Sequence, residues 1–142
     1  MDLRFERKDA FCVSGYPMET SEETLEQDCA ALREQYENEL RKISDHLYFA
    51  AWMSKDNVMM YLLGVKTSDP SPATEGATCL EVPAGRFAVA TVPKGAPILA
   101  TWYEFFETGL ASLDAEMDLE YPFHFESFDE HGVCELWIPV KN

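Results

Sequence analysis

Residues 21–44, SEETLEQDCAALREQYENELRKIS, contain the pattern around which the fold can be worked out. Thr20 or Ser21 can cap the start of a helix here, and the acidic residues of the first turn suit its positive end. Apolar side chains then recur at every third or fourth position, at Leu25, Cys29, Leu32, Tyr36, Leu40 and Ile43. This spacing predicts one long amphipathic helix over about residues 22–44.

Strand-like segments lie on both sides of this helix. Residues 3–16 precede it, and residues 47–53 and 58–65 follow it as an apolar hairpin around Lys55-Asp56-Asn57. The first half of the chain is therefore predicted to have the order strand, helix, strand, strand.

The same order recurs in the second half. Residues 78–92 indicate a strand pair or one long bent strand, and Gly95 and Pro97 lead into a second helix. Residues 121–128 and 133–140 then indicate a closing hairpin. Apolar side chains mark one face of the second helix, at Ile98, Trp102, Phe105, Phe106, Gly109 and Leu113.

A duplicated strand-helix-strand-strand module predicts an α+β fold with an antiparallel sheet and two helices on one face. We expect a single domain over residues 1–142, with pseudo-repeats at about 1–66 and 77–142. The segment 67–76, TSDPSPATEG, is typical of a linker between them. A ligand groove is expected on the free sheet face or at the seam between the halves.

Composition excludes several classes of function. The 26 acidic and 11 basic residues give a net charge of −15, which repels nucleic acid and anionic membranes. The N-terminus lacks an apolar signal core and no 18-residue apolar run occurs, so we expect a cytoplasmic protein. The four cysteines lack a CxxC pair and the three histidines lack metal-ligand spacing, so we expect no metal and no cofactor.

Five short motifs resemble those of the GyrI-like family, also called the AraC-type effector-binding domain. They are FCVSG (11–15), YLLGV (61–65), EVPAGRFAV (81–89), FESF (125–128) and ELWIPVK (135–141). The resemblance implies the duplicated fold and the binding of lipophilic cations, with the supporting glutamate at Glu126. Phe128 stands where that family usually has a tyrosine, so one hydroxyl group is missing.

The last hairpin predicts which side chains accompany Glu126. A turn centred between Glu130 and His131 places Glu126 opposite Glu135, and His124 opposite Trp137. Aromatic faces hold organic cations, and the chain is rich in aromatic residues. We therefore expect a ligand site formed from Glu126, Trp137, Glu135, Phe128, Trp52, Tyr61 and Trp102, although Trp102 also suits helix packing.

Two functions remain open from the sequence, with a third behind them. The first is a stand-alone module that binds lipophilic, cationic or aromatic small molecules and acts without direct nucleic acid contact. The second is a hydrolase of cyclopropane-bearing genotoxic compounds, an activity implied by the resemblance. In it Glu126 orients or deprotonates water, or acts as a general acid if burial raises its pKa, while Tyr61 or Tyr103 polarises a carbonyl. The third is a gyrase-inhibitor-like protein with an unknown protein partner.

Overall fold

The computed structural model describes residues 2–67, 76–121 and 123–142, so most of the predicted linker 67–76 lies outside the described residues. Its elements follow the predicted order closely. They are β1 (Asp2–Lys8), β2 (Phe11–Thr20), α1 (Leu25–Arg41), β3 (Leu47–Met53), β4 (Met59–Thr67), β5 (Thr78–Val82), β6 (Gly85–Thr91), α2 (Ile98–Glu104), a π-helical turn (Phe105–Gly109), α3 (Leu110–Ser112), β7 (Phe123–Phe128) and β8 (Cys134–Val140).

All eight strands form one antiparallel sheet in the order β1-β6-β8-β7-β3-β4-β2-β5. The corresponding strands of the two halves are β1 and β5, β2 and β6, β3 and β7, and β4 and β8. When each strand is replaced by its counterpart, the same order is read from the opposite edge of the sheet. The pseudo-two-fold relation therefore passes between the central strands β3 and β7. The predicted α+β class and the antiparallel duplicated module are confirmed.

The prediction of one strand over residues 3–16 was wrong, because Asp9 and Ala10 divide it into two strands in distant parts of the sheet. In a flat sheet β1 and β2 would lie roughly 29 Å apart. The link from Lys8 to Phe11 can span only about 11 Å. The sheet must therefore curl strongly, so that its two ends approach each other. The short link between β5 and β6 imposes the same curvature.

The curled sheet separates two apolar cores. On the outer side, here called the helix face, side chains of α1 and α2 pack against Phe49, Leu63 and Leu136. On the inner side of the curve, here called the inner face, aromatic side chains dominate, with Phe11, Tyr48, Phe87, Phe125 and Trp137 in one cluster. Both helices thus lie on one face, as predicted.

Most of the predicted apolar positions of the two helices are at least partly buried, but Ile43 and Phe106 are exposed. Helix α1 is shorter than expected by a few residues at each end, and Tyr36 on it stacks against Tyr16 of β2 with ring centroids 3.8 Å apart. The second helix runs from Ile98 through the π-helical turn into α3 without a break. Among the described residues, no helix has the length and apolar character needed to cross a bilayer.

Candidate ligand-binding site

A cavity of about 390 Å³ lies between α1 and α2 on the helix face, above strands β3, β4 and β7. This position is the seam between the two halves, one of the two places that the sequence predicts. Its lining is mostly apolar and comes from both halves: Leu25, Glu26, Cys29, Ala30, Arg33, Phe49, Tyr61, Ala96, Pro97, Ile98, Leu99, Trp102, Glu126 and Phe128.

Glu126 is the buried acidic group of the cavity wall, which also includes the exposed Glu26. Strand alternation in β7 places it on the helix face with Phe128, and only 9% of Glu126 is exposed. Its Oε1 accepts a hydrogen bond of 2.6 Å from the Trp102 indole Nε1. Burial raises the pKa of Glu126 to about 7, against the opposing effects of the Trp102 bond and the Arg33 charge. Near neutral pH this carboxyl group therefore exists in both protonation states.

Aromatic rings form much of the remaining wall. Phe49 lies edge-on to Tyr61 and to Phe128, with centroid distances of 6.3 and 6.1 Å. Burial, followed by the charge of Glu126, raises the pKa of Tyr61 above its ordinary value, so its hydroxyl stays protonated. The cavity thus offers several π faces, one hydroxyl donor and two carboxyl groups, of which Glu126 is buried and Glu26 is exposed.

Helix α1 contributes a polar edge. Leu25, Cys29 and Arg33 are spaced four residues apart and so share the side that borders the cavity. Burial, then the charge of Glu126, raises the pKa of Cys29 to about 12, which keeps it a neutral thiol. The Arg33 guanidinium lies 4.6 Å from the Phe128 ring centroid and pairs with Glu37 at 3.1 Å.

His124 contacts the site indirectly, by packing against Trp102. Its ring lies edge-on to Trp102, at 4.7 Å between centroids, and to Phe106, at 5.6 Å. Burial lowers the pKa of His124 to about 4, so the ring is neutral at physiological pH. It holds the indole that contacts Glu126 and does not line the cavity itself.

The predicted register of the last hairpin was wrong by one residue. Glu126 pairs with Leu136, and Ser127 pairs with Glu135. The cause is a three-residue loop closed by the Asp129 N–H bond to the Val133 carbonyl, with Gly132 in the left-handed region at φ 80°. Such a loop adds one residue to the turn and moves every facing pair.

The register change removes two predicted residues, Trp137 and Glu135, from the site. Trp137 and Glu135 lie on the inner face, where Trp137 stacks on Phe125 at 5.5 Å and Glu135 pairs with Arg4 at 2.6 Å.

Trp52 packs against the inner-face cluster as well. Tyr103 is 55% exposed and does not border the cavity, which removes it as a carbonyl-polarising group there.

The structure brings together four predicted residues, Glu126, Phe128, Tyr61 and Trp102. Sequence reasoning missed Phe49, Cys29 and Arg33, together with the segment 96–99 at the start of α2. The four-residue spacing of Leu25, Cys29 and Arg33 was the available signal, but it coincides with the apolar stripe of the helix. Among the described residues, no group of three or more His, Cys, Asp or Glu side chains is placed to hold a metal.

Comparisons with known proteins agree with this architecture. The sequence model of one protein family, Cass2 (integron-associated effector binding protein), matches residues 4–140 of this chain. SAV2435 bound to tetraphenylphosphonium has a similar structure, with a TM-score of 0.74 and 16% identity over 100% of this chain and 95% of that chain. An integron cassette protein of Vibrio cholerae is similar at a TM-score of 0.67 and 16% identity, over 98% and 95% of the two chains.

EcmrR in a DNA complex is similar at a TM-score of 0.63 and 11% identity, over 99% of this chain and 57% of that chain. The absence of direct DNA contact by the present chain stays a prediction. No curated protein sequence matches the chain significantly. Structural likeness at these identities shows a shared fold, whereas the family model covers nearly the whole sequence. The GyrI-like resemblance is thereby confirmed, and the chain belongs to the Cass2 family of integron-associated effector-binding proteins.

Proposed function

We propose that this protein binds lipophilic cations in the cavity between α1 and α2, with Glu126 as the counter-charge. One observation carries the proposal: Glu126 is almost fully buried in an aromatic cavity, and no lysine or arginine among the described residues forms an ion pair with it. An ionised carboxylate is unfavourable in such surroundings unless a positive group accompanies it.

A lipophilic cation satisfies both parts of this environment. Its charge compensates Glu126, while its apolar groups contact Phe49, Tyr61 and Trp102. The volume of about 390 Å³ lies in the usual range for small-molecule sites. The complex of the structurally similar SAV2435 with tetraphenylphosphonium supports a ligand of this class. We expect micromolar or weaker affinity.

The test is calorimetric titration of wild type and Glu126→Gln with tetraphenylphosphonium and with neutral triphenylphosphine oxide. Loss of a charge-assisted contact should weaken binding of the cation about tenfold or more. Affinity for the neutral compound should stay the same or rise. Glu107→Gln is the matched control, because Glu107 is exposed on the π-helical turn and its loss changes the net charge equally. Equal affinity of wild type and Glu126→Gln for the cation would refute the role of Glu126.

A second candidate function uses the same groups. A carboxyl group with a pKa of about 7 and a protonated tyrosine, Tyr61, border one cavity. Glu126 could accept a proton from a water molecule whose oxygen attacks a cyclopropane carbon, so that one ring C–C bond breaks and its electrons pass to a conjugated carbonyl. Tyr61 donates its proton to that carbonyl oxygen, and return of the proton from Glu126 to Tyr61 completes the addition of water. Mass spectrometry of a reactive cyclopropane compound after incubation distinguishes the two functions. A product heavier by one water, formed by wild type and not by Glu126→Gln, indicates turnover.

A further inference from the structure

Three basic side chains, here called the basic cluster, lie together at one end of the inner face: Arg4, Lys8 and Lys66. Strand alternation puts Arg4 and Lys8 of β1 on the same side as Trp137 of β8, and Lys66 of β4 reaches Phe11 of β2. The chain has only 11 basic residues against 26 acidic ones. Three cations in one place, in so acidic a protein, require a physical explanation.

Of the three cations, only Arg4 forms ion pairs with carboxylates of the inner face. Arg4 lies 2.6 Å from Glu135 and 3.0 Å from Glu6, and these two carboxylates compensate its charge directly, whereas they attract Lys8 without forming an ion pair with it. Among the described residues, neither Lys8 nor Lys66 forms an ion pair. Two positive charges are therefore left without a direct counter-charge.

These two ammonium groups are held against aromatic rings. The Nζ atoms of Lys8 and Lys66 lie 5.9 and 5.1 Å from the centroid of the same ring, that of Phe11, and Lys8 Nζ lies 4.4 Å from the Trp137 ring. Partial burial, then the repulsion of Lys66, lowers the pKa of Lys8. Cation–π contacts fix the positions of the two ammonium groups but do not remove their mutual repulsion.

A depression of about 480 Å³ is bordered by Lys66 and by Phe11, the ring that both lysines contact, whereas Lys8 does not line it. Phe11, Tyr48 and Lys66 line it, together with Ser44 and His46 at the end of the α1–β3 link. It therefore combines aromatic surface, hydroxyl groups and a free ammonium group. None of these residues borders the cavity that contains Glu126.

We propose that this end of the inner face is a second binding site, which holds a small aromatic anion by its carboxylate or phosphate group between Lys8 and Lys66. The anionic group compensates both ammonium charges, and the ring of the ligand packs on Phe11 and Tyr48. Charge-assisted hydrogen bonds from lysine to such oxygens are among the stronger polar contacts in proteins. The thickness of the sheet separates the site from Glu126, whose charge would repel an anion.

The two faces of the sheet provide separate reporters for an NMR titration. The Trp137 indole N–H lies on the inner face and donates to Ser127 Oγ, whereas the Trp102 indole N–H donates to Glu126 on the helix face. Phenyl phosphate is the probe, and inorganic phosphate is the control without a ring. We expect phenyl phosphate to shift the Trp137 indole signal saturably and to leave the Trp102 signal in place.

Substitutions identify the groups responsible. Lys8→Gln and Lys66→Gln should each weaken phenyl phosphate binding about fivefold or more. Lys55→Gln, in the exposed turn between β3 and β4, removes the same charge and should leave the affinity unchanged. No saturable Trp137 shift, or equal weakening by Lys55→Gln, would overturn the proposal. Equally tight binding of inorganic phosphate would overturn the aromatic part of it. Tetraphenylphosphonium, followed at Trp102, tests the cation cavity independently.

Discussion

Glu126 couples the binding site to the stability of the fold. Burial raises its pKa from an ordinary value of 4.5 to about 7, so the folded protein retains a proton that the unfolded chain has lost. Below pH 4.5 this carboxyl group therefore does not lower the free energy of unfolding, and its destabilising effect grows as the pH rises to about 7. A neutral side chain of the same shape avoids that effect.

We accordingly expect Glu126→Gln to be more stable than wild type at high pH and equally stable at low pH. The difference in the free energy of unfolding should grow between about pH 5 and pH 8 to at most about 3 kcal/mol. Urea unfolding at several pH values measures it, with Glu107→Gln as a control that should track wild type. A difference independent of pH would show that Glu126 titrates normally in the folded state.

Arg33 should tune the affinity for cations. Its guanidinium already occupies the Phe128 face at 4.6 Å and borders the cavity, so it repels an incoming cation and covers part of the aromatic wall. Arg33→Gln is expected to tighten tetraphenylphosphonium binding about three- to tenfold. Arg41→Gln is the matched control, because Arg41 also approaches Glu37 on α1 but does not line the cavity. The same gain in both variants would indicate an effect of net charge alone.

The structure places some of the predicted site residues at the cavity and others elsewhere, for reasons specific to each residue. Glu126 and Phe128 share a face because alternation along a single strand needs no knowledge of the partner strand. Trp137 and Glu135 depended on register, which a single added loop residue reverses. Arg33 was missed because a basic residue on an amphipathic helix is usually a solvated one, and only the approach of β7 to α1 shows its contact with Phe128.

The hairpin of β7 and β8 shows how one backbone position controls which side chains reach the cavity. Gly132 adopts φ 80°, where an L residue is strained whatever space surrounds it. Gly132→Ala should therefore destabilise the protein by about 1–2 kcal/mol. Gly85→Ala serves as the control, since a Cβ there meets open space and the backbone is ordinary. Thermal unfolding compares the two, and equal stability would contradict the strained turn.

Element boundaries were predictable where periodicity is local. Helix α1 and the strands β3 and β4 follow directly from the spacing of their apolar residues. The division of residues 3–16 into β1 and β2 was not predictable in this way, because Asp9 and Ala10 give no strong turn signal. The positions of the two edge strands, β1 and β5, depend on partners that lie in the other half of the sequence.

At the scale of the whole molecule, the two halves exchange their edge strands. Strand β1 of the first half completes the sheet beside β6, and β5 of the second half completes it beside β2. The central pair β3 and β7 also joins the halves, with the register Phe49 to Glu126. The ligand cavity is built across the same seam, so neither half contains a complete sheet or a complete site.

This exchange leads to a prediction about cooperativity. A protease site introduced between Thr67 and Gly76 allows the chain to be cut after folding. The two fragments should stay associated and unfold in one transition, because three strand pairs cross from one half to the other. Size-exclusion chromatography with circular dichroism measures both properties.

A fragment 76–142 isolated alone should be unfolded, since it lacks β1 at the β6 edge and β3 beside β7 and would expose the apolar surface they cover. Two fragments that separate under native conditions and each retain a cooperative transition would show that the halves are independent domains joined only by the chain.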